Sequence, residues 1–231
     1  MTNYDDDSIK ELLLNSAEDI LEKLKQVNAN HAFSYETFGK DIEQHINMIL
    51  KDILESNGII NTDNDYHIAQ NKNEFPDFTI NCNQKIAIEY KSGNHRKKSG
   101  NQWVDCKNSN NDLGTLRSWD QKLTDFNGEN ILFLYVEYSF DDVTKKIIDV
   151  KIDNFYKFLK VNGDGILRYR KKDGNLRPKD FNEGHFLNSF EEFMALLTPT
   201  KIYRAKSIIT EHIETIPEDQ RDELLESLKS K

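Results

Sequence analysis

Cysteine is nearly absent. Cys82 and Cys106 are the only two in 231 residues, too few for a disulfide-stapled scaffold; reduced thiols in a cytoplasm are the simpler expectation. Long apolar runs are missing too. The best of them, Ile131–Tyr138, is interrupted by Glu137 and falls well short of the roughly 20 residues that span a bilayer, so no membrane role is expected. The first residues, Met1 to Asp7, are acidic and lack the apolar stretch of a signal peptide, which again suggests the cytoplasm. There is no Walker loop, no Gly-x-Ser-x-Gly elbow and no cysteine pair at zinc spacing, and the six histidines are scattered. Phosphate-loop, serine-hydrolase and zinc chemistry therefore find no residues to carry them.

What the chain does have is charge, unevenly spread. The net charge is −9, which by itself argues against a polyanionic partner. The distribution says otherwise. Between Lys91 and Lys122 lie Lys91, Arg96, Lys97, Lys98, Lys107, Arg117 and Lys122, opposed by Asp105, Asp112 and Asp120. Between Arg168 and Lys179 lie Arg168, Arg170, Lys171, Lys172, Arg177 and Lys179, opposed only by Asp173. The acids concentrate at the start of the chain and from Glu211 to Glu226. Two basic islands in an acidic sequence suit a nucleic-acid interface. Either island alone would equally suit a solvated, charge-mixed surface.

Apolar residues recur at helical spacing over Ser8–Val27 and again over Ser34–Ser56, where Ser34 is a candidate N-cap and Asn57-Gly58 a stop. The period then changes. Phe78–Ile80 and Ile86–Lys91 read as short strands joined by a turn at Asn81–Lys85, followed by a polar, Asn-rich loop from Ser92 to Gly114. Thr115–Phe126 reads as a helix, and Ile131–Ser139 as a strand covered on both faces. Lys146–Ile152 is a further strand and Asn154–Leu159 a short helix, before a hairpin or long loop over Asn162–Gly184. Three helices are expected at the end: Phe190–Leu197, Lys201–Ile213 and Pro217–Leu228. Trp103 and Trp119 are expected as core aromatics, with an interface, or for Trp103 a stacked base, as alternatives. Strands followed by helices predict an α/β fold, a mixed central β-sheet flanked by α-helices. With no repeat or long linker, residues 1–231 are expected to form one domain: N-terminal helices over 1–60, a catalytic core over 75–160, a basic segment over 161–185 and C-terminal helices over 186–231.

One constellation carries chemistry. Asp77, in Phe75-Pro76-Asp77-Phe78, begins one strand of the expected hairpin; Glu89 and Lys91, two apart on the other, share a face. Two carboxylates brought together repel unless a cation offsets them. Magnesium prefers oxygen ligands and is typically held by one or two carboxylates and several waters. A cation on Asp77 and Glu89 would polarise a phosphodiester and activate a water, and Lys91 would orient that water or stabilise the transition state. An Asp followed by Glu-x-Lys also arises readily by chance in so charged a chain, as an exposed hairpin with a weak surface ion pair.

Pro76-Asp77 with Glu89-Tyr90-Lys91 resembles the PD-(D/E)XK nuclease signature, and the layout from about Glu36 to Ser139 is similar to type II restriction endonucleases of the EcoRV/HincII-like branch. The resemblance implies a restriction-endonuclease-like core, Asp77 and Glu89 as ligands of Mg2+ (with Mn2+ as a substitute) and Lys91 as the catalytic lysine. It also implies an acid on the preceding helix, for which Glu43 is the first choice and Glu36 the alternative. The stretch Asn110-Asn111-Asp112-Leu113-Gly114-Thr115 resembles one that follows the lysine in some of these enzymes. A homodimer is implied too.

Duplex recognition needs groups for phosphates and groups for base edges. Arg96, Lys97, Lys98, Asn101, Gln102, Lys107, Asn108, Asn110, Asn111 and Thr115 are the candidates after Lys91, with Arg168, Arg170, Lys171, Lys172 and Arg177 in the second island. The leading expectation is a magnesium-dependent type II restriction endonuclease cutting double-stranded DNA at a short, palindromic site. The alternatives are a structure-directed repair or recombination nuclease and a catalytically silent DNA-binding module.

Overall fold

The computed structural model describes residues 4–31, 33–34, 36–71, 74–109, 111–218 and 220–222. Three helices come first: α1 (Asp6–Asn15), α2 (Ala17–Asn30) and α3 (Phe38–Ser56). The single helix expected over Ser8–Val27 is thus two. At the break, the Ser16 hydroxyl donates to the Leu12 carbonyl at 2.7 Å, and the Ser16 N–H to Leu13 O at 3.1 Å, diverting backbone groups from a continuous ladder. The apolar stripe survives the break, since Ile9, Leu13, Ile20 and Leu24 are all buried. α3 begins at Phe38 rather than beside Ser34, whose hydroxyl accepts from the Glu36 and Thr37 N–H groups in a turn ahead of the helix. Asn57-Gly58 does end it, with Gly58 at φ +69°.

A five-stranded mixed sheet follows, in the order β1 (Tyr66–Ile68), β2 (Phe78–Ile80), β3 (Ile86–Asn94), β6 (Ile131–Phe140), β7 (Lys145–Asn154). All neighbours are antiparallel except β3 and β6, which run parallel with Glu89 beside Phe133 and Lys91 beside Tyr135. The connection between those two strands holds β4 (Arg96–Ser99), β5 (Gln102–Asp105) and α4 (Ser118–Asp125). The loop expected over Ser92–Gly114 is therefore a longer β3 followed by a small antiparallel hairpin. Its strands are mostly polar and half exposed, so no apolar alternation announced them.

Alternation sorts the sheet into two cores. Ile86, Ile88, Tyr90, Leu132, Leu134 and Val136 face α1–α3. Ala87, Ile131, Phe133 and Tyr135 face the opposite layer, where Trp119 of α4 stacks on Phe155 at 4.1 Å. β6 is buried on both sides, as its composition predicts. Trp119 is fully buried, whereas Trp103 is half exposed on the hairpin and donates its indole N–H to Asp142 at 2.9 Å. The expected short helix at Asn154–Leu159 is a 3-10 turn, Phe155–Phe158.

Isolated bridges such as Val161–Leu167 and Tyr169–Leu176 fold residues 161–178 into an irregular hairpin. The two helices expected over Phe190–Ile213 are one, α5, which runs through Pro199. The missing proline donor costs stability. Leu197 and Thr200 are buried on either side of it, and the Thr200 hydroxyl accepts from Leu167 N–H at 3.0 Å, so tertiary packing carries the helix across. Most of the Pro217–Leu228 helix lies outside the described residues. Among those described, no helix is long and apolar enough to cross a membrane.

Candidate active site

The β2–β3 register pairs Phe78 with Ile88 and so sets Asp77, just ahead of β2, level with Glu89. Asp77 Oδ2 accepts the Tyr90 N–H at 2.6 Å. Glu89 and Lys91 project from the same face of β3, and Lys91 Nζ donates to Glu89 Oε1 at 2.6 Å. The second carboxylate oxygen, Glu89 Oε2, is buried with no hydrogen-bond partner among the described residues. An ionised oxygen left in that state is costly unless something outside the fold meets it.

Tyr90 points the other way and clamps the site to α3. Its hydroxyl donates to Asn47 Oδ1 at 2.7 Å, and burial keeps that phenol protonated. Asn47 and Glu43 lie one helical turn apart, so the clamp also fixes Glu43. Glu43 lines a cleft of about 650 Å³ together with Asp77 and Tyr90, and a smaller recess of about 240 Å³ beside Lys91, Asn111 and Asp112. Glu36, the alternative acid, lies exposed in the turn before α3.

The electrostatics follow from crowding three acids at a half-buried edge. Burial, and then the charge of Glu89, pushes the Asp77 carboxyl up to about 7, against the pull of the Tyr90 N–H and Lys91. Burial likewise raises Glu43, with Lys91 opposing and Glu89 adding to the rise. The described residues contain no group of three or more His, Cys, Asp or Glu side chains close enough to cage a metal. A pair of carboxylates with one orphaned oxygen nevertheless fits magnesium, which keeps several of its waters.

The candidate DNA-contacting residues have varied fates. Lys97, Lys98, Asn101 and Gln102 are exposed on the β4–β5 hairpin, and Lys107 is exposed beyond it. Arg96 is turned inward, with Nη1 on Asp105 at 2.9 Å and Nη2 on the Trp103 carbonyl at 3.2 Å. Asn108 is tied to Asp180 at 2.8 Å, Asn111 lines the smaller recess, and Asn110 lies outside the described residues. Thr115 accepts from Ser118 N–H at 3.0 Å at the start of α4. In the second island, Lys172 is exposed, Lys171 reaches Glu211 at 3.2 Å and Arg168 is half-buried. Arg170 and Arg177 share Asp112, at 2.8 and 2.9 Å.

The sequence reading gave two residues beside the site no role of their own. Asp112 is the anchor of the basic loop. Lys122, counted there only as part of a basic island, lies with its ammonium 3.7 Å from the Phe75 ring centroid and 5.0 Å from that of Trp119. A signal for it existed: Lys122 interrupts the apolar stripe Trp119, Leu123, Phe126, where a surface lysine has no place.

No family model matches this chain, and no curated protein matches it. Solved structures do. The NlaIV restriction endonuclease superposes with a TM-score of 0.53 at 14% identity, over 75% of this chain and 67% of that one. The likeness does not single out the EcoRV/HincII-like branch. What it establishes is architecture: this chain has a restriction-endonuclease-like fold, a mixed sheet flanked by helices.

Proposed function

We propose that this protein is a magnesium-dependent, site-specific endonuclease of double-stranded DNA, of the type II restriction kind and similar to the EcoRV/HincII-like branch. The observation that carries the reading is the Glu89 carboxylate: one oxygen bonded to Lys91, the other buried and unpartnered, with Asp77 alongside and forced up to about 7. A structural ion pair has no need of a second, repelling carboxylate. A phosphodiester-cleaving site does.

Asp77 and Glu89 would hold the cation, Mg2+ or Mn2+, with Glu43 assisting from α3. When bound, it supplies Lewis acidity toward the phosphate and a water of lowered pKa. Lys91, already oriented by Glu89, directs the attacking water and stabilises the charge that grows on the phosphoryl oxygens. The products would be 5′-phosphate and 3′-hydroxyl ends. The exposed Lys97, Lys98, Asn101 and Gln102 suit the hairpin to a DNA groove, with Lys107, Lys171 and Lys172 available to phosphates. A homodimer would match a palindromic site, and the cytoplasm would be its compartment.

The test is a mixed-sequence plasmid incubated with the protein in magnesium or EDTA, beside Lys91→Ala. Discrete, magnesium-dependent fragments that vanish in the variant are expected. A smear would replace sequence specificity with structure-directed or nonspecific cutting. An intact plasmid that is nevertheless shifted on a gel would leave a DNA-binding module.

A further inference from the structure

Lys122 is a cation with nothing to hold. Among the described residues its ammonium makes no ion pair and no hydrogen bond, although the side chain belongs to a helix that packs into the core. Its nearest company is aromatic: the face of Phe75, two residues before Asp77, and the Trp119 ring. Gly114 lies against it, a Cβ there standing 3.5 Å from Nζ in ordinary contact. The ammonium sits in the fields of Glu89 and Asp77, yet burial outweighs both and pulls it down to about 8. Glu89, whose charge the ammonium feels, keeps its own orphaned oxygen among the described residues. Aromatic faces hold a lysine in place while leaving all three of its donors unspent.

We propose that Lys122 is a second phosphate-holding cation of the site, reaching from α4 to a phosphodiester oxygen seated against Asp77 and Glu89. This deepens the nuclease reading and rests on it. Lys91 spends one donor on Glu89 and turns the others to the water and the phosphoryl oxygens, so a second cation adds a hold on the incoming phosphate. Lys122 supplies one from α4, on a stem long enough to move. Its position also explains why a charged residue stands on the apolar stripe of α4.

The experiment pairs two readouts on Lys122→Met, which keeps the stem, and on Lys122→Arg, which keeps the charge. The first is the single-turnover rate on the cleaved plasmid. About a 10²-fold loss is expected in the methionine variant, with partial recovery in the arginine variant. The second is the salt dependence of binding to a short mixed-sequence duplex in magnesium, in a Lys91→Ala background that leaves the duplex whole. Loss of one phosphate contact lowers the slope of log K against log salt by about 0.9. A Lys122→Met protein that melts earlier but binds with the parental slope would overturn the proposal and leave Lys122 a structural countercharge. If the parent cuts and Lys91→Ala does not, while Lys122→Met keeps both rate and slope, only this inference falls. If the parent never cuts, the nuclease reading falls, and the slope still reports whether Lys122 meets a phosphate.

Discussion

Arg177 is bonded to Asp112 at 2.9 Å, and Asp112 is also part of the wall of the recess that holds Lys91 and Glu43. Arg170 takes the other oxygen of the same carboxylate at 2.8 Å. The basic loop and the cleft are therefore joined through one carboxylate.

Asp112→Asn should loosen that joint. Both arginines are partly exposed, so a loss of about 1 kcal/mol is expected. The local effect should be larger: limited trypsinolysis ought to cut at Lys171 and Lys172 earlier than in the parent. Parental digestion kinetics would show that the loop is held elsewhere.

Asp77→Asn should stabilise the metal-free protein, in a pH-dependent way. The Asp77 carboxyl lies at about 7 in the fold against 3.8 ordinarily. Between those values the folded state binds the proton more tightly than the unfolded state, so stability falls as pH rises from about 4 to about 7. Asparagine cannot titrate, and its carbonyl still accepts the Tyr90 N–H. Melting in EDTA at pH 8 should gain roughly 2–4 °C, the equivalent of about 1 kcal/mol in a chain of this size. At pH 5 the gain should disappear, while cleavage is lost at both.

Magnesium demand should follow the same proton. A cation that binds Asp77 must displace it below about pH 7, so the half-saturating magnesium concentration should rise about tenfold per pH unit lost. Cleavage titrated with magnesium at pH 6 and pH 8 measures this. Equal half-saturation at the two pH values would remove Asp77 from the cation's ligands.

Lys91→Ala leaves Glu89 buried without its lysine partner, and should cost up to about 3 kcal/mol in EDTA by urea denaturation. Replacing both, Glu89→Leu with Lys91→Met, should recover most of that stability and none of the activity. A double variant as unstable as the single would mean that packing, and not the stranded charge, sets the cost.

Gly93→Ala tests the crowding beyond Lys91. A Cβ there would lie 2.6 Å from the Tyr135 hydroxyl and 2.8 Å from the Phe181 ring. A loss of about 1–3 kcal/mol is expected, since both neighbours belong to a packed layer.

The juxtaposition of these side chains was legible because alternation is local: Glu89 and Lys91 needed only a strand to share a face, and Asp77 only the turn that pairs it. Glu43 could be placed on the right helix from the resemblance, but its approach depends on the Tyr90–Asn47 clamp, which no periodicity encodes. The hairpin at 96–105 stayed hidden because Arg96, Lys97, Lys98 and Gln102 are poor strand formers whose pairing is decided by each other. Arg96, Arg170 and Arg177 read as free cations because sequence reports charge and not its partner. The helices expected over Phe190–Leu197 and Lys201–Ile213 are one because packing around Leu197 and Thr200 overrides the local preference against Pro199.

The parallel pairing of β3 with β6 also sets an order in time. During synthesis the hairpin bearing Asp77, Glu89 and Lys91 leaves the ribosome with its inner edge bare, because its neighbour begins only at Ile131. A half-made or truncated chain thus holds Asp77, Glu89 and Lys91 on a sheet from which β6 is still missing. The site's supporting strand is therefore completed only once the chain has passed Phe140.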